Sequence, residues 1–133
     1  MKQIKVKVRA TLDPTGAVDF EVDGVKAKQA RLKLDKDSGS HAIDFDLHDQ
    51  TGRSLQFDSA DPIWASDNVP CPPPNGLHSQ QLSIDKVGGK SLTVINANSG
   101  EPREIRYQLN FVDGSGSSCN CDPIVDNAGG NLL

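Results

Sequence analysis

Asp122-Pro123, within the stretch Gly114 to Gly130, is the residue pair of this chain best suited to covalent chemistry. Proline makes the amide tertiary and its nitrogen a more basic leaving group, while the aspartate carboxyl can attack its own carbonyl through a five-membered ring. Such a bond is acid-labile, and fixing its geometry is worth an effective molarity of about 10⁵ to 10⁸ M. The departing nitrogen needs a proton from a second carboxyl whose pKa is raised by burial or by a neighbouring carboxylate. Asp126, Asp61 and Asp58 are the candidates, on proximity or on their place in Asp-rich loops. The step requires no metal and no cofactor, and none is expected. Two further Asp-Pro pairs, Asp13-Pro14 and Asp61-Pro62, fit the ordinary use of this dipeptide in turns.

Other constellations are weaker. A peptidase acting on other chains would pair two carboxylates on Asp-Thr-Gly or Asp-Ser-Gly loops, and the one such tripeptide, Asp37-Ser38-Gly39, runs into polar Ser40-His41 and reads as a turn. Asp44, Asp46 and His48 share one strand face but stand nearly 7 Å apart, so a metal would need a ligand from another strand. Asp35 to Asp46 does not match a calcium loop in the places of its glycine and last carboxylate. Cys119-Asn120-Cys121 with Cys71 and His78 has the wrong spacing for a zinc site and reads as free thiols. No glycine-rich phosphate loop opens a helix, and no nucleophile elbow places a serine.

The elements that must position these residues are strands. Ile4 to Leu12 alternates Ile4, Val6, Val8, Ala10 and Leu12 against Lys5, Lys7, Arg9 and Thr11, and Asp13-Pro14-Thr15-Gly16 then turns the chain into Val18, Phe20 and Val22. This hairpin sets Arg9 against Glu21 and Lys7 against Asp23. A bulge is expected near Lys28-Gln29. His41 to His48 and Arg53 to Asp58 read as a second hairpin about Asp49-Gln50-Thr51-Gly52. Ser59 to Gly76 holds five prolines and reads as a crossover loop, with Trp64 plugging the open end of the core. Strands return around Leu82 and Ile84, at Leu92 and Val94, and most clearly at Ile105, Tyr107, Leu109 and Phe111. Seven to nine strands with no clear helix predict an all-β fold, an antiparallel two-sheet β-sandwich of immunoglobulin-like or Greek-key type, with a barrel as the alternative closure. Residues 1–113 form the sandwich domain and 114–133 a flexible, Gly/Ser-rich C-terminal arm carrying Ile124 and Val125.

Composition narrows the partners. The 133 residues suit one domain, and a net charge of −4 without a basic, aromatic-interleaved cluster argues against nucleic acid. No apolar run reaches the roughly 20 residues of a membrane span, and the start lacks the apolar centre of a secretory signal. With three cysteines, an odd number, we expect a cytoplasmic protein with free thiols.

Asp122-Pro123-Ile124 behind the strand Tyr107 to Val112, together with Asp61-Pro62-Ile63-Trp64 upstream, resembles the DP-EP family of small bacterial β-sandwich proteins. The only Glu-Pro, Glu101-Pro102, precedes that tail. The resemblance implies a β-sandwich and aspartic-type self-processing, with Asp122 and Pro123 at the scissile position. A second reading is a non-catalytic interaction module in which Ile124-Val125 adds to an open sheet edge, its own or a neighbour's, and favours a homo-oligomer.

Overall fold

The computed structural model describes residues 1–34, 39–67, 75–99, 103–121 and 124–127. Among them the strands are β1 (Lys2–Leu12), β2 (Val18–Val22), β3 (Val25–Lys26), β4 (Arg31–Lys33), β5 (His41–Asp49), β6 (Gln56–Phe57), β7 (Ile63–Asp67), β8 (Leu77–His78), β9 (Leu82–Val87), β10 (Ser91–Asn96), β11 (Arg103–Val112), β12 (Ser118–Cys121) and β13 (Ile124–Asn127). One 3₁₀ turn, Ala27–Gln29, stands where the bulge was expected. A six-stranded sheet in the order β3-β2-β1-β5-β10-β9 packs on a seven-stranded sheet in the order β4-β13-β11-β7-β8, with β12 and β6 also pairing with β11. The β-sandwich expected from the alternation is thus the architecture.

The first hairpin keeps its expected register, with Arg9 facing Glu21 and joined to it as an ion pair. Lys7 and Asp23 meet through the backbone, the Lys7 N–H donating to Asp23 Oδ1 at 2.8 Å. Val6, Val8 and Ala10 turn inward with Ile43, Phe45 and Leu47 of β5 and meet Ile105, Tyr107, Leu109 and Phe111 of β11. Aromatic rings fix the contact between the sheets: Phe111 stacks on Phe20 at 5.2 Å and leans on Phe57 at 4.7 Å, and Phe45 meets Tyr107 at 5.7 Å.

Four features depart from the sequence reading. Strand pairing is mostly antiparallel, but β1 with β5, β13 with β4 and β7 with β8 are parallel; for the first two pairs the chain crosses between sheets before returning. The second hairpin does not form: β5 pairs with β1 and β10, whereas β6 joins β11 in the other sheet. The Asp49 carboxylate accepts the Leu55 N–H at 2.9 Å where the chain crosses over, and Leu55 is buried. Trp64 does not plug the end of the core. It lies half-buried on β7, between inward Ile63 and Ala65, so the crossover carries a strand despite its prolines.

Among the described residues of the expected arm, most lie in sheet. Asp113 to Ser117 closes a tight turn, with the Asp113 N–H bonded to the Ser117 carbonyl at 2.9 Å, and β12 and β13 then run against β11. Glycine supplies the positive φ of +86° at Gly116 that this turn requires.

Candidate functional site

The outward face of β11 holds the chain segment that carries Asp58 and Asp61. Alternation predicts Gln108 and Asn110 to be wet, yet they are only 3% and 6% exposed, so the strand is covered on both sides. Two buried amides need partners, and they find them in each other and in the chain ahead of β7. Gln108 Nε2 donates to Asn110 Oδ1 at 2.6 Å, and Asn110 Nδ2 donates to the Asp61 carbonyl at 2.9 Å. The Asn110 N–H meets the Pro62 carbonyl, and the Asp58 N–H meets the Asn110 carbonyl, both at 2.9 Å.

This network gives Asp58 and Asp61 structural work. Asp58 Oδ1 accepts the N–H groups of Ala60 at 3.0 Å and Asp61 at 3.2 Å, and so closes a turn. Asp61 Oδ2 accepts the indole N–H of Trp64, which faces Gln108 across the ladder. Asp126 stands elsewhere, on β13, at the register positions of Glu104 on β11 and Lys33 on β4. Glu104 and Asn110 are six residues apart on one strand, about 20 Å at 3.3 Å per residue. The structure therefore does not bring Asp126 together with Asp58 and Asp61.

Asp122 and Pro123 lie outside the described residues, as does Cys71, but the strands on either side are informative. Cys121 faces Leu109, and Ile124, three residues on, faces Arg106, three residues back, so the two flanking strands keep a common register against β11. Leu109 also pairs with Ile63 on its other edge, which puts β11 between Cys121 and the Asp58–Asp61 turn. Two strand spacings amount to about 10 Å, well beyond hydrogen-bond reach.

Carboxylates do converge at one end of the sandwich, where the sequence reading had not sought them. The pattern Asp-x-Ser/Thr-Gly occurs at Asp13, Asp49 and Asp113, each closing a turn. Asp13 Oδ1 takes the Thr15 hydroxyl at 2.6 Å, the Thr15 N–H at 2.8 Å and the Ala17 N–H at 3.0 Å. Asp113 Oδ1 repeats this with the Ser115 hydroxyl at 2.7 Å and the N–H groups of Ser115 and Ser117, both at 2.9 Å. Arg53 ties the turns together, its guanidinium donating to the Gly16 carbonyl and its own carbonyl accepting the Gly114 N–H.

These bonds favour the ionised form. The Thr15 hydroxyl, and then the turn amides, hold Asp13 below the usual carboxylate value, as the Ser115 hydroxyl does for Asp113. At Asp49 burial pushes the pKa up, but Thr51, Leu55 and Lys90 together outweigh it and the net shift is downward. All three carboxylates are thus committed to shaping turns.

Cys119 and Cys121 lie on the inward face of β12, and neither is in a disulfide. Burial, and then Asp113, push the Cys119 thiol up and away from reactivity. Nearly 7 Å separates same-face neighbours on a strand, too far for a disulfide without breaking the ladder. Asp44 accepts the Thr93 hydroxyl at 2.7 Å, and His78 Nε2 meets the Asn75 carbonyl at 2.6 Å. Among the described residues no group of three or more His, Cys, Asp or Glu side chains is arranged to hold a metal ion.

No protein-family model matches the chain, and no curated protein is similar enough to count as a relative. What fold and site define is a small β-sandwich whose last described strand bridges two others.

Proposed function

We propose that this protein is a non-catalytic interaction module that self-associates by strand addition through its C-terminal segment. The observation that carries the reading is the position of β13. It pairs antiparallel with β11 on one edge and parallel with β4 on the other, and among the described residues β4 has no other strand partner. Without β13 the edge of β11 from Arg103 to Arg106 opens and β4 loses its ladder, leaving a slot that takes an extended segment of the same sequence. A neighbouring copy supplies such a segment, which makes a homo-oligomer by exchange of identical elements. Cys119 and Cys121, neither of them in a disulfide, suit a reducing, cytoplasmic setting.

A labelled peptide of residues 123–133 tests this. It should bind saturably to full-length Val125→Pro protein, in which proline removes a ladder donor from the resident strand, and the same peptide carrying that substitution should not bind. Absence of peptide binding to a folded variant would contradict the slot.

Self-cleavage between Asp122 and Pro123 is the second reading, in line with the resemblance to the DP-EP family. Continuous register on both sides of the bond favours it, because anchored flanks are what a high effective molarity needs. The separation of Asp126 from Asp58 and Asp61, and of Cys121 from the Asp58–Asp61 turn, leaves the Asp122 carboxyl as the principal reacting group. Intact-mass measurement of protein aged at pH 5 and pH 7 should then show loss of residues 123–133, faster at pH 5 and abolished by Asp122→Asn. An unchanged mass at both pH values would remove this reading.

A further inference from the structure

We propose that the open side of the sandwich, between the β2–β3 edge and β11, is a binding site for an uncharged small molecule with an apolar body and one carbonyl oxygen. A cavity of about 280 Å³ lies there, walled by Val6, Val22, Val25, Ala30 and Leu32, with Tyr107 also lining it. Val6, Val22 and Tyr107 are buried, whereas Val25 is 44% exposed and stands with Asp23 and Gln29 at the mouth. An engineered cavity of roughly 150 Å³ holds benzene, so this one suits a ligand of about ten non-hydrogen atoms.

Tyr107 supplies the polar handle. Its side chain is 1% exposed, and its ring packs on Phe45. Yet its hydroxyl has no hydrogen-bond partner among the described residues, whereas buried phenols are normally paired. A ligand oxygen reaching the floor of the cavity would satisfy that donor.

The surrounding charges select against other ligands. Burial, and then Cys121 and Asp23, hold the Tyr107 phenol far above its ordinary pKa, so it remains a neutral donor at working pH. A ligand carboxylate would meet the Asp23 carboxylate at the mouth, with no cation among the described residues lining the cavity. An ammonium group finds no buried carboxylate among the described lining residues, and Asp23 Oδ1 already accepts the Lys7 N–H.

Acetophenone, ethylbenzene and benzoate form a probe series of similar size that differs in the acceptor and in charge. Titration of isotopically labelled full-length protein, followed by amide chemical shifts, should place acetophenone at Val22, Ala30 and Leu32. Its affinity should exceed that of ethylbenzene by about three- to tenfold, the size of one net hydrogen bond, and benzoate should bind more weakly than either. Tyr107→Phe keeps the ring against Phe45 and should bring the acetophenone-to-ethylbenzene ratio to about one. Val25→Trp, at the exposed mouth, should block both neutral probes without disturbing the core. Equal affinity of the two neutral probes for the parent protein would overturn the proposal, as would shifts confined to other parts of the molecule or preferential binding of benzoate.

Discussion

Asp49 is 8% exposed and supports two structures at once: its Oδ1 closes the turn through Thr51, and its Oδ2 accepts the N–H of buried Leu55. Asp13, Asp49 and Asp113 all have folded pKa values below the 3.8 of an unperturbed aspartate, so each binds its proton less readily in the native state than in the unfolded chain. Their stabilisation is therefore fully present above about pH 4 and is lost as pH falls through their lower folded values. Asp49→Asn turns an amide NH₂ toward a donor and should cost about 1 to 3 kcal/mol at pH 7. Urea midpoints of parent and variant should approach each other by pH 2.5, whereas a gap independent of pH would show that the Asp49 charge is irrelevant. The three turns were partly legible in the sequence: Asp13 and Asp49 announce them, but Gly114 to Ser118 looks like linker because glycine and serine dominate it. Only the repeated spacing of Asp, hydroxyl and glycine separates that turn from an arm. Gln108 and Asn110 escaped notice for a different reason, since burial on the outward face depends on a chain crossing that alternation within β11 does not encode.

At the scale of elements, β13 decides how the second sheet closes. Because it lies between β11 and β4, displacing it should release both neighbours together. In Val125→Pro the amides of Arg31 to Lys33 and of Arg103 to Arg106 should exchange at least about tenfold faster with solvent, while those shared by β1 and β5 keep their protection. Retained protection at β4 would mean that this strand is held by something other than β13. Long strands with one wet face, β1 and β5, could be read directly from their alternation, and β11 could be read as a strand although not as one covered on both faces. Two-residue strands such as β3, β6 and β8 carry no period, and β12 and β13 fall in the stretch read as an arm, so the strands among the described residues exceed the seven to nine expected. Parallel pairing of β1 with β5 leaves no mark in either sequence, since it is set by where the intervening chain travels.

At the scale of the whole molecule, the last described strand, laddered on both edges, can fill the same slot in its own chain or in another copy. Exchange between copies has to be driven by concentration, and it needs no new interface chemistry because every ladder bond of the exchanged strand already exists in the single chain. The opposed sheets, with Phe20, Phe57 and Phe111 packed between them, keep the rest of the fold intact while the strand changes owner. Native mass spectrometry of the full chain from low to high micromolar concentration, with Val125→Pro in parallel, tests this most directly. The account predicts a dimer fraction that grows with concentration in the parent protein and is absent from the folded variant. Monomer alone in both, or dimer in equal measure in both, would contradict it.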